Sequence, residues 1–520
     1  RRQRQMCIRD SCYYEVTPSS AQLVSGAYTF TTKLKTATTT GWKLRAYTVG
    51  ATTYTANTSS LVKVDTNLVA RLQVLIVPDE SPVPGDTANR GRKGPVSNKV
   101  AGTPFDIDIR RVDSCWNLVS DDNPPVWITS NDPYRVSLGT GTLDNGTTTW
   151  SVAMVTAGSG KKIYVDQAGY IGDYSTEFVV QENEDKCLQV LVEGEVLREG
   201  DTSNRGRGSG GIVNPQTAGI AFPVTVNRVD SCWNLVSENL PGVEVTSDDP
   251  YGDPDDTTAK LIDLTNGTSM FYVIMRKAQN VRLHVAKATY TGDDSTQITV
   301  APNTAIKKLQ VLIEGENPEP GDIANDGKSG IPITPDAGES FNVTVRSVDN
   351  CWNLTNKTPW VRLTSDDPKA ANPLVSDFQL VGGTKVVSVT LKQSTTTGWK
   401  ITARATGGGY EDGISSLIKV DPVGADHLQV SMASPVTAGV AKDVAVEVLD
   451  KYGNRSTGYT GTIRFESNDS YATLPGDYTF TTGAGGDNGY KVFYSTVVLR
   501  SGGTWYVKAY DVAYSTITGQ

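Results

Sequence analysis

Adjacent carboxylates are the first residues here that could do chemistry, because Asp248-Asp249 and Asp366-Asp367 offer the pairing that a general acid and base require. Each pair stands directly before a proline, Pro250 or Pro368, where a strand ends and the chain must turn. The motif returns from unit to unit along the chain, whereas a catalytic pair belongs in one pocket, so both pairs are read as turn formers. Histidine supplies no hydrolytic base. His284 and His427 lie at non-equivalent positions, with no arrangement of Ser or Cys around either that would make a triad. Two histidines and scattered cysteines also fall short of a structural zinc site. The residue types argue against a hydrolase and a metalloenzyme alike.

A second constellation is an Asp-x-x-x-Asn corner that follows an apolar strand: Asp113 with Asn117, Asp230 with Asn234, Asp349 with Asn353, and Asp450 with Asn454. It is read as a turn, since Asn tolerates left-handed backbone angles and Asp caps nearby amides. The alternative is a calcium site in which Asp113 is joined by Asp121, Asp122 or Asp132, although the spacing matches no established calcium-loop order. No other cofactor is implied.

Cys115, Cys232 and Cys351 are one position used three times, so they cannot pair within a unit and are read as small residues at a strand end. Cys187 is the candidate disulfide partner of Cys232, a connectivity that spacing alone leaves open. Trp116, Trp233 and Trp352, beside the same strand end, are read as partly buried lids on a sandwich, with sugar stacking as the alternative. A long polar loop of the form G-D-x-x-N-x-G occurs three times, at 85–91, 200–206 and 321–327. The fourth unit omits it, so it is read as a solvated flap that the core does not need. Ligand contact or lateral packing is the alternative, with Asp86, Asn89, Arg90, Arg92, Asp201, Asn204, Arg205, Arg207, Asp322 and Asn325 as the contact candidates.

The elements that must position these residues follow from an internal repeat. Leu-Gln-Val recurs at Leu72, Leu188, Leu309 and Leu428, and the corner and a Thr-Ser-Asn/Asp-Asp-Pro marker keep step with it. Within each unit the apolar residues alternate: Phe105, Ile107 and Ile109 are separated by Asp106 and Asp108, and Phe341, Val343 and Val345 by Asn342 and Thr344. Short runs rich in Val, Thr, Tyr and Ile, broken by Gly, Pro, Asn and Asp, predict about seven strands per unit and an all-β chain of tandem immunoglobulin-like antiparallel sandwiches forming an elongated rod. A chain of 520 residues is in any case too long for one core.

The predicted boundaries are 12–66 for the C-terminal half of a first unit, then 67–183, 184–304, 305–422 and 423–520 for repeats 1 to 4, the last expected to lack its final strand. Residues 1–11 are read as translated sequencing adapter, since Met6-Cys7-Ile8-Arg9-Asp10 back-translates to an adapter-like end; Cys7 and Cys12 therefore carry no weight. A net charge of -9 and a pI near 5.0 provide no basic field for nucleic acid or an anionic membrane. No apolar run is long enough to span a bilayer.

The fourth repeat carries the clearest likeness to a family, in Asp450-Lys451-Tyr452-Gly453-Asn454, Gly458-Tyr459-Thr460-Gly461-Thr462, Ser467-Asn468-Asp469 and Tyr478-Thr479-Phe480. These stretches resemble the bacterial immunoglobulin-like (Big-type) repeats of large surface adhesins and secreted proteins. The first three repeats resemble a relative in which Cys-Trp-Asn replaces Tyr-Gly-Asn and the long loop is added. The resemblance implies a sandwich fold, no catalytic residues, and a place outside the bacterial cell or on its surface. The expected function is a non-catalytic stalk that projects or spaces other modules, with the neighbouring repeats and a surface glycan or protein as partners. Two alternatives remain: the repeats themselves bind a glycan or protein through their loops, or they space a secreted enzyme.

Overall fold

A computed structural model of the chain describes residues 4–6, 13–18, 20–48, 54–68, 70–209 and 215–520. Among the described residues the regular structure is β throughout, save one 3-10 turn at Thr202–Asn204. Repeat 2 shows the plan. One sheet places Ala221–Val229 between Cys187–Val192 and Thr268–Ile274, with Val190 opposite Val226 and Val224 opposite Phe271. The facing sheet runs in the order Lys260–Leu264, Leu240–Ser247, Leu283–Ala286, Asp293–Asp294. A short strand, Gln216–Thr217, adds in parallel to Ile298–Ala301, and a parallel bridge joins Cys187 to Thr291.

Alternation does what the sequence predicts on the inner faces. Phe341, Val343 and Val345 are buried while Asn342 between them is exposed. In repeat 2 the two faces meet in a core of Leu188, Val190, Val224, Val226, Val243, Val245, Leu283, Val285 and Ile298, and repeats 1, 3 and 4 have equivalent cores of their own. Each core is closed by its own repeat's strands apart from one contribution: Cys232 belongs to the core of repeat 1, Cys351 to that of repeat 2, and Tyr452 packs on that of repeat 3. The repeats are therefore self-contained folding units whose ends are finished by the next unit.

The half-unit at 12–66 pairs Tyr14–Thr17 with Thr31–Leu34 and Thr38–Trp42 with Val62–Val64. Within the stretch read as adapter, Arg4–Met6 runs antiparallel to Arg45–Thr48; residues 7–11 and Cys12 lie outside the described residues.

The G-D-x-x-N-x-G segment is not the solvated flap expected from sequence. It folds back as a hairpin, pairing Ser81–Pro82 with Arg92–Lys93 and Glu195–Leu197 with Arg207–Ser209, and covers the outer face of the first strand. Arg71–Val77 is consequently buried on both faces: Leu72, Val74 and Ile76 point into the core, and Gln73 and Leu75 lie under the hairpin. The Gln73 side-chain amide donates to the carbonyls of Arg90 and Gly91, and Gln189 and Gln310 repeat the bond in the next two units. Repeat 4, which lacks the hairpin, leaves Gln429 and Ser431 exposed on the same strand.

Candidate functional site at the repeat junctions

The corner begins as a turn, and its aspartate holds it shut. In repeat 2 one carboxylate oxygen of Asp230 accepts the amides of Cys232 and Asn234 at 2.8 and 2.9 Å. The other accepts the side-chain amide of Asn234 at 2.9 Å and the backbone N–H of Asn183, in the linker from the preceding repeat, at 3.0 Å. Asn67, Asn303 and Val423 make the same linker bond to Asp113, Asp349 and Asp450. The left-handed residue of the turn is not the asparagine, as expected, but the residue before it: Trp116, Trp233 and Trp352 have φ of 66°, 68° and 63°, and Gly453 has 73°. A non-glycine residue there costs about 1–2 kcal/mol.

With its backbone thus fixed, the asparagine reaches across the junction. Asn234 donates to the Val155 carbonyl of repeat 1 and accepts the Ala157 amide, both at 2.9 Å. Asn117 does this to Lys35 and Ala37, Asn353 to Arg276 and Ala278, and Asn454 to Lys392 and Ser394, at 2.7–3.1 Å. All four asparagines are buried.

The loop they grip is shaped from the other side by the second aspartate of the Pro-preceding marker. Asp132 accepts the amides of Val155 and Thr156 at 2.8 and 2.9 Å and the Thr156 hydroxyl at 2.6 Å. Burial raises the pKa of Asp132, but these donors outweigh it and hold the carboxyl below its ordinary value of 3.8. Asp249 and Asp367 hold Arg276-Lys277 and Lys392-Gln393 in the same way. The apparent acid pairs therefore diverge: Asp249 faces the junction loop, while Asp248 accepts the Arg282 amide at 2.8 Å and meets His284 at 2.9 Å.

A hydrophobic contact completes the seam. A methyl group placed on Gly102 would stand 2.9 Å from the Cys232 sulfur, one on Gly219 the same distance from Cys351, and one on Gly338 inside the Tyr452 ring. Burial pushes the Cys232 and Cys351 thiols up to about 11. Cys115, Cys187, Cys232 and Cys351 are all free, so the candidate Cys187–Cys232 pairing is not formed: Cys232 is spent on the core of the neighbouring repeat.

The hairpin candidates serve the same end of the repeat. Asp86 caps the amides of Ala88 and Asn89 and holds the Asn89 side chain at 2.7 Å; Asp322 and Asn325 repeat this, as do Asp201 and Asn204. Arg90 and Arg92 pair with Asp173, and Arg205 and Arg207 with Asp293, so the arginines of the tip are engaged within their own repeat. Trp116 is covered, with Gly91 against its Cβ. The hairpin also touches the preceding unit: Thr36 donates to the Pro84 carbonyl at 3.1 Å, and a methyl group on Gly200 or Gly321 would strike Thr156 or Tyr251. In repeat 4, Lys369 of repeat 3 substitutes for it, donating to the carbonyls of Tyr452 and Gly453 at 2.8 and 3.0 Å.

The calcium candidates are not brought together. Asp113 faces the junction before repeat 1, Asp132 the junction after it, and Asp121 pairs with Arg111. Among the described residues, no group of three acidic, His or Cys side chains is placed to hold a metal ion. Sequence reasoning singled out the corner aspartates and asparagines and the Pro-preceding acids, and read them as turns or calcium ligands rather than as contacts between repeats. The overlooked signal is that the corner asparagine persists in all four copies, even where Cys-Trp gives way to Tyr-Gly.

No protein-family model matches the sequence, and no curated protein does. Among solved structures, the chain is similar to the Escherichia coli adhesin FdeC, with 13% identity over 69% of this chain and 99% of that one, and a TM-score of 0.24. It is also similar to a tetra-tandem repeat from the extending region of a large adhesion protein, with 12% identity, coverage of 87% and 98%, and a TM-score of 0.18. Escherichia coli alpha-2-macroglobulin matches at 10% identity over 96% of this chain but 32% of that one, with a TM-score of 0.22. At such scores the superpositions carry no argument; the all-β, tandem immunoglobulin-like sandwich architecture stands on the strand pairings above.

Proposed function

We propose that this chain is a non-catalytic structural and adhesive repeat region of a bacterial surface or secreted protein, of the Big type, and that it serves as a stalk. The observation that carries this reading is the junction itself. A buried asparagine clamp and a linker bond to aspartate are built four times over from the same positions, and an apolar plug three times, which is what holding successive units in one fixed relation requires. Interfaces between domains of one chain are otherwise loose by default. The paired acids and His284 are engaged in turns and local ion pairs, which supports a role without catalysis.

At roughly 40 Å per sandwich, four units joined end to end reach on the order of 150 Å. Small-angle scattering is expected to give a stiff, elongated particle of that length. A compact particle, or a flexible chain of independently tumbling beads, would overturn the proposal.

A further inference from the structure

The hairpin arginines and Trp116 are engaged inside the fold, so an adhesive contact has to come from a surface that the fold leaves open. The outer face of the second sheet of repeat 1 is such a surface. That sheet runs in the order Ser137–Thr142, Pro125–Ser130, Ile163–Asp166, Asp173–Tyr174. Alternation sends Val126, Ile128, Ile163 and Val165 into the core and turns Trp127, Tyr164 and Tyr174 outward, where they are 50%, 37% and 45% exposed. The three rings stand on three neighbouring strands. Tyr164 is paired with Tyr174, their ring centroids 6.3 Å apart, and Trp127 lies one diagonal step away, since Tyr164 faces Thr129 while Trp127 faces Asp166. Neighbouring strands are about 4.8 Å apart, so the row crosses about 10 Å of open sheet. The Arg90 guanidinium lies 3.8 Å over the Tyr174 ring and is itself paired with Asp173, which holds that ring in place before anything binds.

The other repeats fill these positions differently. Glu244, His284 and Asp294 stand there in repeat 2, Arg362, Thr402 and Ile414 in repeat 3, and Arg464 and Lys508 at the first two positions in repeat 4. Several of these meet a partner on their own surface: His284 lies between Asp248 and Asp294, Arg362 pairs with Asp377, and Arg464 with Asp477. The sandwich therefore forms without rings at these sites, and a row of three exposed aromatics in repeat 1 is a contact surface rather than a requirement of the fold.

We infer that this face of repeat 1 binds a neutral polysaccharide, laid across the strands with its sugar rings on Trp127, Tyr164 and Tyr174. A pyranose has a face of C–H groups that packs on an aromatic ring and a rim of hydroxyls that needs polar partners. Both are met here, because Thr129, Thr140 and Asp166 are interleaved with the rings on the same face. Those hydroxyls and that carboxylate interrupt the apolar area, whereas the centre of a protein interface is continuous and dry. Charge selects a neutral chain. Asp166 and a net charge of -9 repel anions and a second copy of this chain alike, and the nearby cations are taken, Arg90 by Asp173 and Lys162 by Glu177 at 2.8 Å. The inference deepens the adhesive half of the proposed function and is independent of the stalk.

The test is affinity electrophoresis of the full chain through gels containing hydroxyethylcellulose, xyloglucan, galactomannan or, as an acidic counterpart, polygalacturonate. At least one neutral gel is expected to retard the chain. Trp127→Glu and Tyr164→His install the residues that repeat 2 carries at the same positions, so the sandwich tolerates them, and each is expected to weaken the retardation at least about tenfold, the contribution of one stacked ring. Trp360→Ala, which removes a tryptophan 53% exposed in repeat 3, is expected to leave it unchanged. Free migration in every neutral gel, retardation by polygalacturonate alone, or retardation indifferent to Trp127→Glu would overturn the inference. Self-association in sedimentation that Trp127→Glu abolishes would assign the face to a second copy and overturn it equally. An elongated particle that no neutral gel retards removes this inference alone, and a compact particle that is retarded removes the stalk alone.

Discussion

Asn234→Ala is the perturbation that separates a junction clamp from a simple turn. The side chain is 0% exposed and makes two bonds across the junction, to the Val155 carbonyl and from the Ala157 amide. Each such bond contributes about 0.5–1.5 kcal/mol net, and each partner left dry and unpaired costs about 1–3 kcal/mol. If the junction stayed shut, both penalties would fall on the folded state. Opening lets water reach Val155 and Ala157, which caps the loss, so the seam is expected to weaken by about 2–3 kcal/mol. That corresponds to a roughly 30- to 150-fold rise in the open population. Cys232 reports it directly, because its thiol is buried against repeat 1 and becomes reactive only when the seam parts. Its maleimide labelling rate should rise by that factor, while Cys351, one junction further on, serves as internal control and keeps its rate. A change in Cys232 labelling below about threefold, or equal acceleration at Cys351, would refute the reasoning, since the first leaves the clamp without energy and the second signals global loosening.

Deleting residues 85–94 uncovers Leu75 and strips Asp173 of both arginines, so repeat 1 should lose about 3 kcal/mol or more, read as an earlier denaturant midpoint for that repeat with repeat 4 unchanged. Gly91→Ala should damage the same hairpin, because a methyl group there would overlap the Trp116 side chain; near-native trypsin resistance of the hairpin would contradict this. Asp132 has its folded pKa depressed below 3.8, so its contribution is complete above that value and is lost as pH falls through the lower folded one. Thermal melts should hold level through the mildly acidic range and drop below about pH 4, less steeply in Asp132→Asn; a melting point flat to strong acid would count against it. Calcium is expected to leave the melting temperature unchanged, since Asp113 and Asp132 face different junctions and already accept amide donors; a concentration-dependent rise would reveal a native-state site.

Much of this molecule was legible from spacing. Alternating apolar residues fix which strand faces are buried, because the side-chain period of a strand is two, and the recurrence of three markers fixes the length of the unit. The hairpin's role was also written in the sequence. Leu75, Leu191 and Leu312 make the first strand apolar on its outer face in the three repeats that have the hairpin, and Ser431 stands there in the repeat that lacks it. Arg90, Arg92 and Asp173 likewise travel together, with Arg205, Arg207 and Asp293 as their second copy.

What the sequence could not state is which surface each polar group meets. Asp113 and Asn117 read as turn formers, with a calcium site built from Asp113 and Asp121, Asp122 or Asp132 as the alternative, because both uses ask for oxygen atoms within a short stretch of chain. The choice depends on partners about 80 residues away along the chain: Lys35 and Ala37 for Asn117, Val155 and Ala157 for Asn234. Only the folded packing of one repeat on the next brings those backbone groups within hydrogen-bond reach, and a bond that short-ranged and directional leaves no trace in local periodicity. The sequence by itself determined the bead and its count; the tertiary structure alone decided that the corners between beads are clamps.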